Sequence, residues 1–251
     1  MSRDITPDIR RIRLFLTDPH PCSYLPGNEA TTAFVASADL NLEVNSHIEV
    51  DPQFYSQLSD MGFSRSGQYF YAPRCQACNA CISARLVVKK FKPSRQQQRC
   101  SSRNQDLTVW ISTQIDEQEH YPLYKRYINT RHADGDMFPP NLNQFRDFIG
   151  NLREYSRIVE IRCGDELIAA GVVDILEDGL SAIYTYYSTE PQHKKRSLGT
   201  FTILSEIMLA REMDLSYLYL GYWIKDSPKM AYKSNYRPLE ILKDRQWTPL
   251  V

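Results

Sequence analysis

Between residues 61 and 105 the chain has no aspartate and no glutamate. That absence excludes a self-neutralised, salt-bridge-laced surface over this stretch. The cations within it are Arg65, Arg74, Arg85, Lys89, Lys90, Lys92, Arg95, Arg99 and Arg103. Yet the 251 residues carry 30 basic and 30 acidic side chains, so there is no net charge to make the whole molecule a polyanion binder. A local patch of one sign still steers an anionic partner. No run is long and apolar enough to cross a bilayer, which leaves no membrane partner. Residues 1–13 stay charged and lack a secretory h-region. Cysteine is scarce: six in this length exclude a disulfide scaffold. Their tight spacing suits metal or redox chemistry in a reducing cytosol, so a cytoplasmic location is expected. There is no internal repeat, and Gln96-Gln97-Gln98 is too short to count as low complexity.

What is present reads as α/β. The apolar share, 42%, is ample for a core, and the length allows one large domain or two small ones. In the first unit, 10–16 and 31–36 read as strands. Residues 51–61 read as a helix, with Asp51 as N-cap, Pro52 at the first position and Gly62 at the stop. Strands follow at 63–71 and 82–91. A small N-terminal module, 1–105, ends in a Ser/Arg/Asn cluster. The second unit, 106–251, opens with a strand at 106–112 and a helix at 116–131, with Tyr121, Tyr124 and Ile128 on one face. Asn141 or Asn143 caps a further helix up to 152. A hairpin at 157–163 and 167–176 turns at Gly164-Asp165, then Asp178-Gly179 leads into a central strand. The expected sheet is mixed and mostly antiparallel.

The cysteine run Cys75-x-x-Cys78-x-x-Cys81 presents several sulfurs to one centre, with Cys22 arriving from an earlier turn. Thiolates suit zinc or an iron–sulfur centre. A second, distant CxxC is missing, because Ser23, Tyr24 and Leu25 follow Cys22. The competing reading is buried thiols packed as small hydrophobes, which also suits the isolated Cys100 and Cys163.

The segment from 181 to 243 organises the rest. Residues 181–188 are aromatic and β-branched, as in a strand. A basic turn follows, 190–196, then Ser197-Leu198-Gly199-Thr200, then apolar residues at helical spacing: Phe201, Leu204, Ile207 and Met208. Strand, basic turn, helix is an order that offers backbone N–H groups and a positive helix end to an anion. A solvated loop in an ordinary α/β domain has the same pattern. A strand at 216–224 and a helix at 228–234 close the unit.

These residues carry a resemblance. Val173-Asp174-Ile175-Leu176, Ile183-Tyr184 with Tyr187, Ser197-Leu198-Gly199-Thr200, Leu220-Gly221-Tyr222-Trp223-Ile224 and Lys229-Met230-x-Tyr232-Lys233 resemble the arginyl-tRNA–protein transferases. Arg131-His132-Ala133-Asp134-Gly135-Asp136-Met137 and the cysteine run resemble that family's short bacterial branch, the aspartate/glutamate leucyltransferases. The likeness spans nearly the whole chain. It implies a GNAT-like acyltransferase domain in the second unit and transfer of leucine from leucyl-tRNA to proteins that begin with Asp or Glu, marking them for N-end rule degradation. In eukaryotic relatives the first turn resembles C-x-x-C, and Leu25 stands where the second Cys would be, which weakens the metal reading.

The implied reaction is acyl transfer from an activated ester, so no cofactor is required. The amine must lose a proton and an oxyanion must be stabilised. By analogy with GNAT-like folds the 3′ end of the tRNA lies near Arg196, Ser197, Leu198, Gly199 and Thr200. Lys89, Lys90 and Lys92 are placed on tRNA phosphates, against the alternative of a solvated strand and loop face. Asp174, Tyr184 and Tyr186 are the catalytic candidates, with Tyr184 and Tyr186 on one strand face and Tyr187 on the other. An acidic acceptor needs a cation, and Arg65, Arg74, Lys233 and Arg237 are the candidates. Three alternatives remain: arginine as the transferred residue, an acyl-CoA N-acetyltransferase, and a non-enzymatic RNA-binding or metal-sensing module. The second is disfavoured by the single glycine in the turn.

Overall fold

The computed structural model describes residues 12–36, 50–135 and 137–251. Arg10 and Arg11 of the first expected strand, and Asp136, lie outside the described residues. In chain order the strands and helices are β1 (Leu14–Leu16), β2 (His20–Pro21), β3 (Glu29–Ala30), β4 (Thr32–Val35), α1 (Pro52–Asp60), β5 (Ser64–Ser66), β6 (Tyr69–Pro73) and β7 (Ile82–Val87). Then come α2 (Arg95–Arg103), β8 (Thr108–Ser112), α3 (Glu117–Arg131), α4 (Leu142–Phe145), β9 (Ser156–Cys163), β10 (Glu166–Ile175) and β11 (Gly179–Tyr187). The chain closes with α5 (Leu198–Glu212), β12 (Tyr217–Trp223), β13 (Leu239–Lys243) and β14 (Gln246–Pro249).

Local signals set several of these boundaries. Asp51 caps α1 by accepting from the Gln53 N–H at 2.8 Å, and Pro52 opens the helix. Asp116 caps α3 and Asn141 caps α4 in the same way. The expected helix at 228–234 is a short 3₁₀ turn instead, Ala231–Asn235. Its sequence, with Pro228 before it and Pro238 after it, has no apolar stripe long enough to hold an α-helix.

The strands form a mixed sheet of eight, a four-stranded sheet and a two-stranded ribbon. The large sheet runs β14-β13-β7-β12-β11-β10-β9-β8, and among the described residues every pairing but β11–β12 is antiparallel. The small sheet runs β1-β4-β6-β5. The boundary drawn at residue 105 is crossed by the large sheet's hydrogen bonds. β7, from the first unit, stands between β12 and β13. A strand there satisfies the N–H and C=O groups of both neighbours, which a separate module would leave open.

Two cores cover the large sheet. On one face, α5 packs Ile203, Ile207 and Ala210 against Leu86, Val159, Val173 and Leu218. On the other, α3 and the turn after α4 pack Leu123, Tyr124, Ile128 and Ile149 against Ile158, Val172 and Tyr186. A third core joins α1 and the small sheet to the large one through Phe54, Tyr55, Leu58, Phe70, Tyr155 and Tyr219. Each such side chain, taken from water, contributes about 1.5–3 kcal/mol.

Candidate active site

β11 and β12 are paired only at Gly179–Tyr217, Leu180–Leu218 and Ser181–Tyr219. Beyond Ser181 they part. β11 stays with β10 as far as Tyr187, and β12 pairs with β7 at Ser83 and Ile82. Two parallel strands that diverge leave a cleft between them, and α5 runs behind it. Glu206 of α5 is fully buried, against β10 on the other side of β11 from β12. It faces β10 at Gly171, where an added Cβ would come within 2.5 Å of Glu206 Oε1 and 2.7 Å of Thr202 Cγ2. Only glycine lets the helix and its carboxyl approach this closely. Burial pushes the Glu206 carboxyl up to about 8. Tyr232 stands beside it. Burial, then Glu206, then Tyr187, push the Tyr232 phenol up to about 12. Tyr127 of α3 packs on Tyr187 at 4.7 Å between centroids, and its hydroxyl meets His132 Nε2 at 3.1 Å. Across the mouth, Lys229 pairs with Asp134 at 2.8 Å. The two unusual sequence words, at 131–137 and 229–233, thus meet at one cleft.

The basic turn leads into this cleft from the side. Residues Pro191–Arg196 form a 3₁₀ helix, Ser197 takes a left-handed conformation, and α5 starts at Leu198 with no side chain capping its first turn. Gly199 lies against Tyr187, where a Cβ would sit 2.9 Å from the ring. Thr200 shares a hydrogen bond with Tyr236. Arg196 points away, in a two-pronged pair with Asp106 at 2.8 and 2.9 Å. Leu198 is buried in the core. Of the five residues placed at the tRNA end, Arg196 and Leu198 are therefore committed to the fold.

Asp174 and Arg65 must be reassigned. Asp174 is wholly buried and accepts from Arg65 Nε at 2.5 Å, Arg65 Nη2 at 2.9 Å, Tyr55 Oη at 2.9 Å and Ser156 Oγ at 2.7 Å. Four donors saturate the carboxylate, so it has no lone pair left for an amine. Arg65 in turn is spent on Asp174 and the Gly67 carbonyl and has no charge left for an acceptor. The pair ties β5 of the small sheet to β10 of the large one. Tyr186 is also withdrawn. It is wholly buried, and its hydroxyl meets His120 Nδ1 at 2.6 Å, with His120 Nε2 at 3.3 Å from Glu160. Tyr184 and Tyr186 share the α3 face, whereas Tyr187 reaches both α3 and α5. The Tyr184 hydroxyl is buried with no hydrogen-bond partner.

Of the other acceptor candidates, Arg237 is exposed and bonded to the Ser234 and Leu250 carbonyls. Arg74 lines a cavity of about 360 Å³ with Cys81, Tyr222 and Asn79. Lys233 is 4% exposed, donates to the Tyr222 carbonyl and has no carboxylate partner among the described residues. Burial pushes its ammonium down to about 7, against the pull of the Cys81 sulfur.

The acid-free stretch divides in the same way. Arg65 is spent on Asp174. Arg85 is spent on Glu240 at 2.9 Å and Asp60 at 3.1 Å, with its guanidinium 3.6 Å over the Tyr217 ring. Lys89, Lys90 and Lys92 are exposed, with Lys89 in a surface pair with Asp214. α2 then presents Arg95, Arg99 and Arg103 one turn apart on an exposed face. Arg103 reaches the Lys195 carbonyl, so this ridge is continuous with the basic turn. The helix was not expected here, although its Ser94…Gln97 capping box is legible in the sequence.

Cys22, Cys75 and Cys78 are electrostatic neighbours of Cys81. Burial first, then Cys22, Cys75 and Cys78 in turn, push the Cys81 thiol up to about 11. Among the described residues, however, no group of three or more His, Cys, Asp or Glu side chains is arranged to hold a metal ion. The Cys22 sulfur accepts from the Leu25 N–H at 3.4 Å.

Glu206 was the residue missed. It occupies an apolar position of its helix, in step with Ile203, Ile207 and Ala210, and a charge on such a stripe was the available signal.

Comparison with known proteins agrees with the resemblance in the sequence. The model of the "Arginine-tRNA-protein transferase, N terminus" matches residues 20–99, and that of its "C terminus" matches residues 119–243. Fold, cleft and these matches define an α/β transferase. Proteins named aspartate/glutamate leucyltransferase are similar throughout. That of Pseudomonas syringae pv. tomato is 45% identical over 97% of this chain and 99% of its own. The Saccharophagus degradans and Pseudomonas fluorescens Pf-5 proteins are 42% and 46% identical at the same coverage. The chain belongs to the arginine-tRNA-protein transferase family. Among solved structures, L-PGS from Bacillus licheniformis superposes with a TM-score of 0.47 over 68% of this chain and 58% of that one, at 12% identity, too distant to add to the fold. No helix of the described residues is long and apolar enough to cross a membrane.

Proposed function

We propose that this protein transfers leucine from leucyl-tRNA to the α-amino group of proteins that begin with Asp or Glu, in the cytosol, and so marks them for degradation. The observation that carries this is the 42–46% identity to leucyltransferases over 97% of the chain. In the reaction the acceptor nitrogen attacks the ester carbonyl, the bond to the ribose oxygen breaks, and that oxygen takes a proton. The ester is already activated, so the chemistry calls for no nucleotide or redox cofactor.

The division of labour follows the two halves of the chain. The first half supplies the tRNA ridge of Lys90, Lys92, Arg95, Arg99 and Arg103. The second supplies a GNAT-like cleft, with the aminoacyl end at Ser197, Gly199 and Thr200. Tyr184 keeps a hydroxyl able to donate to developing charge. The acidic side chain of the acceptor is read by Lys233, with Arg74 near by, because a buried ammonium without a counter-ion is stabilised by a substrate carboxylate.

The test offers labelled leucyl-tRNA, arginyl-tRNA and acetyl-CoA with peptides that begin with Asp, Glu or Asn. Leucine should appear on the Asp and Glu peptides alone; arginine or acetyl transfer overturns the reading. Changing Lys90, Lys92, Arg95 and Arg99 to Gln should flatten the slope of log affinity for tRNA against log salt by about 3. Lys233→Met should lower the ratio of Asp-peptide to Asn-peptide transfer by about tenfold, the loss of a charged hydrogen bond.

A further inference from the structure

Both oxygens of Glu206 are buried, and among the described residues neither has a hydrogen-bond partner. Other buried carboxylates are served: Asp174 by four donors, Glu160 by His120 and Arg162. A carboxyl that is desolvated and unpaired is costly, and native proteins keep few of them. Glu206 lies against Gly171 of β10, the strand next to β11, and its charge is felt by Tyr232, which is 42% exposed.

We propose that Glu206 is the proton acceptor for the α-ammonium of the incoming protein. The inference rests on the leucyl-transfer reading. A buried carboxylate repels tRNA phosphates, so its ligand is cationic. The reacting ends supply two cations, the acceptor's α-ammonium and the α-ammonium of the leucyl group. Of these only the first must be deprotonated for reaction to occur. The other candidate base, Asp174, is held by Arg65. The step is balanced: one ammonium proton moves to a Glu206 oxygen, and the freed nitrogen lone pair attacks the ester carbonyl. The ribose oxygen leaves with the second proton, and Glu206 later returns the first to solvent. Burial places the carboxyl near 8, close to the ordinary range of an α-amine, about 7.7–8.0, so the transfer is close to balanced in energy. The titratable groups facing Glu206 are Tyr232 and Tyr236 of the 231–236 segment. Thr202 of α5 and Gly171 of β10 add no charge.

The test compares wild-type protein, Glu206→Gln and Glu206→Asp, with leucyl-tRNA and an Asp-peptide, from pH 6.5 to 9. At pH 6.5 kcat of Glu206→Gln should fall by about a hundredfold or more, with KM for tRNA and peptide within about twofold of wild type. The deficit should shrink as pH passes the pKa of the amine, which then sheds its proton unaided; Glu206→Asp should keep the wild-type profile at lower kcat. A deficit equal at every pH is structural and overturns the proposal. A raised KM for leucyl-tRNA with an unchanged profile means that Glu206 holds the donor's ammonium, and also overturns it. If wild type moves no leucine, the functional reading and the inference fall together; if it does and Glu206→Gln matches it, the inference alone falls. A carbon-13 titration of Glu206 in wild-type protein needs no variant. The carboxyl should be protonated at pH 7 alone and ionised with Asp-peptide bound; no change on adding peptide overturns the proposal.

Discussion

Asp174 and Glu206 are both buried carboxyl groups beside β10, and their surroundings are opposite. Asp174 has Arg65, Tyr55 and Ser156, from β5, α1 and β9, around its two oxygens. Glu206 has Gly171 and Thr202 against it and, among the described residues, no donor. The first carboxylate is cement between two sheets, with an arginine and two hydroxyls filling its acceptor positions. The second is held in an apolar wall that resists ionisation until a cation arrives. Burial alone therefore does not identify a functional group. The completeness of its hydrogen bonding separates the two roles.

The strongest way to break this comparison is Arg65→Ala. It leaves the Asp174 charge buried with two neutral donors, at a cost of about 3–5 kcal/mol. In a chain of this size that lowers the melting temperature by roughly 6–20 °C. Arg65→Met with Asp174→Leu should recover most of the loss, because no charge is then stranded. A normal melting curve for Arg65→Ala, together with lost preference for Asp-peptides, would return Arg65 to the acceptor site.

Gly171→Ala sharpens the other side. Its Cβ would meet Glu206 Oε1 at 2.5 Å and Thr202 at 2.7 Å. Overpacking of this kind costs about 1–3 kcal/mol. Urea denaturation of Gly171→Ala, Glu206→Ala and the double variant should give a coupling of about half the Gly171→Ala loss, since removing the carboxyl relieves one of the two close contacts and leaves Thr202. Additive effects would place Glu206 away from β10.

A third test is the pH dependence of stability in Glu206→Gln. The carboxyl goes from 4.5 ordinarily to about 8 in the folded protein. Between those values the folded state holds a proton that the unfolded state has lost. The stability this group contributes is complete below about 4.5 and is lost as pH rises through about 8. Glutamine does not titrate, so the variant should match wild type near pH 4.5 and melt higher at pH 8. Parallel curves would mean that Glu206 is ionised throughout.

Much of the fold was legible because local chemistry dictates it. Asp51-Pro52 opens α1, Asp116 opens α3, and apolar, β-branched and aromatic runs mark β9, β10 and β11. The basic ridge was half legible. Its charges were plain, but α2 was not, because it buries only Gln97 and Cys100 and shows no apolar stripe. The assignment of β7 failed for a different reason. A strand's partners lie far away in sequence, and nothing in residues 82–87 says which sheet will take them. Tyr184 and Tyr186 were correctly put on one face by the strand's two-residue period, yet which face meets α3 depends on packing.

The sequence by itself determined the capped helices α1 and α3, the central strands, the acid-free stretch of cations and the family, because propensity, charge and characteristic words are properties of the chain read in order. Tertiary structure alone decided which charges are spent. Arg65 and Arg85 look like Lys90 and Arg95 in sequence, but 109 residues separate Arg65 from Asp174 and 155 separate Arg85 from Glu240. The same holds for Asp174 and Glu206: an ionisable group acquires its role from the donors and the dielectric that folding brings around it, and those come from elements distant along the chain.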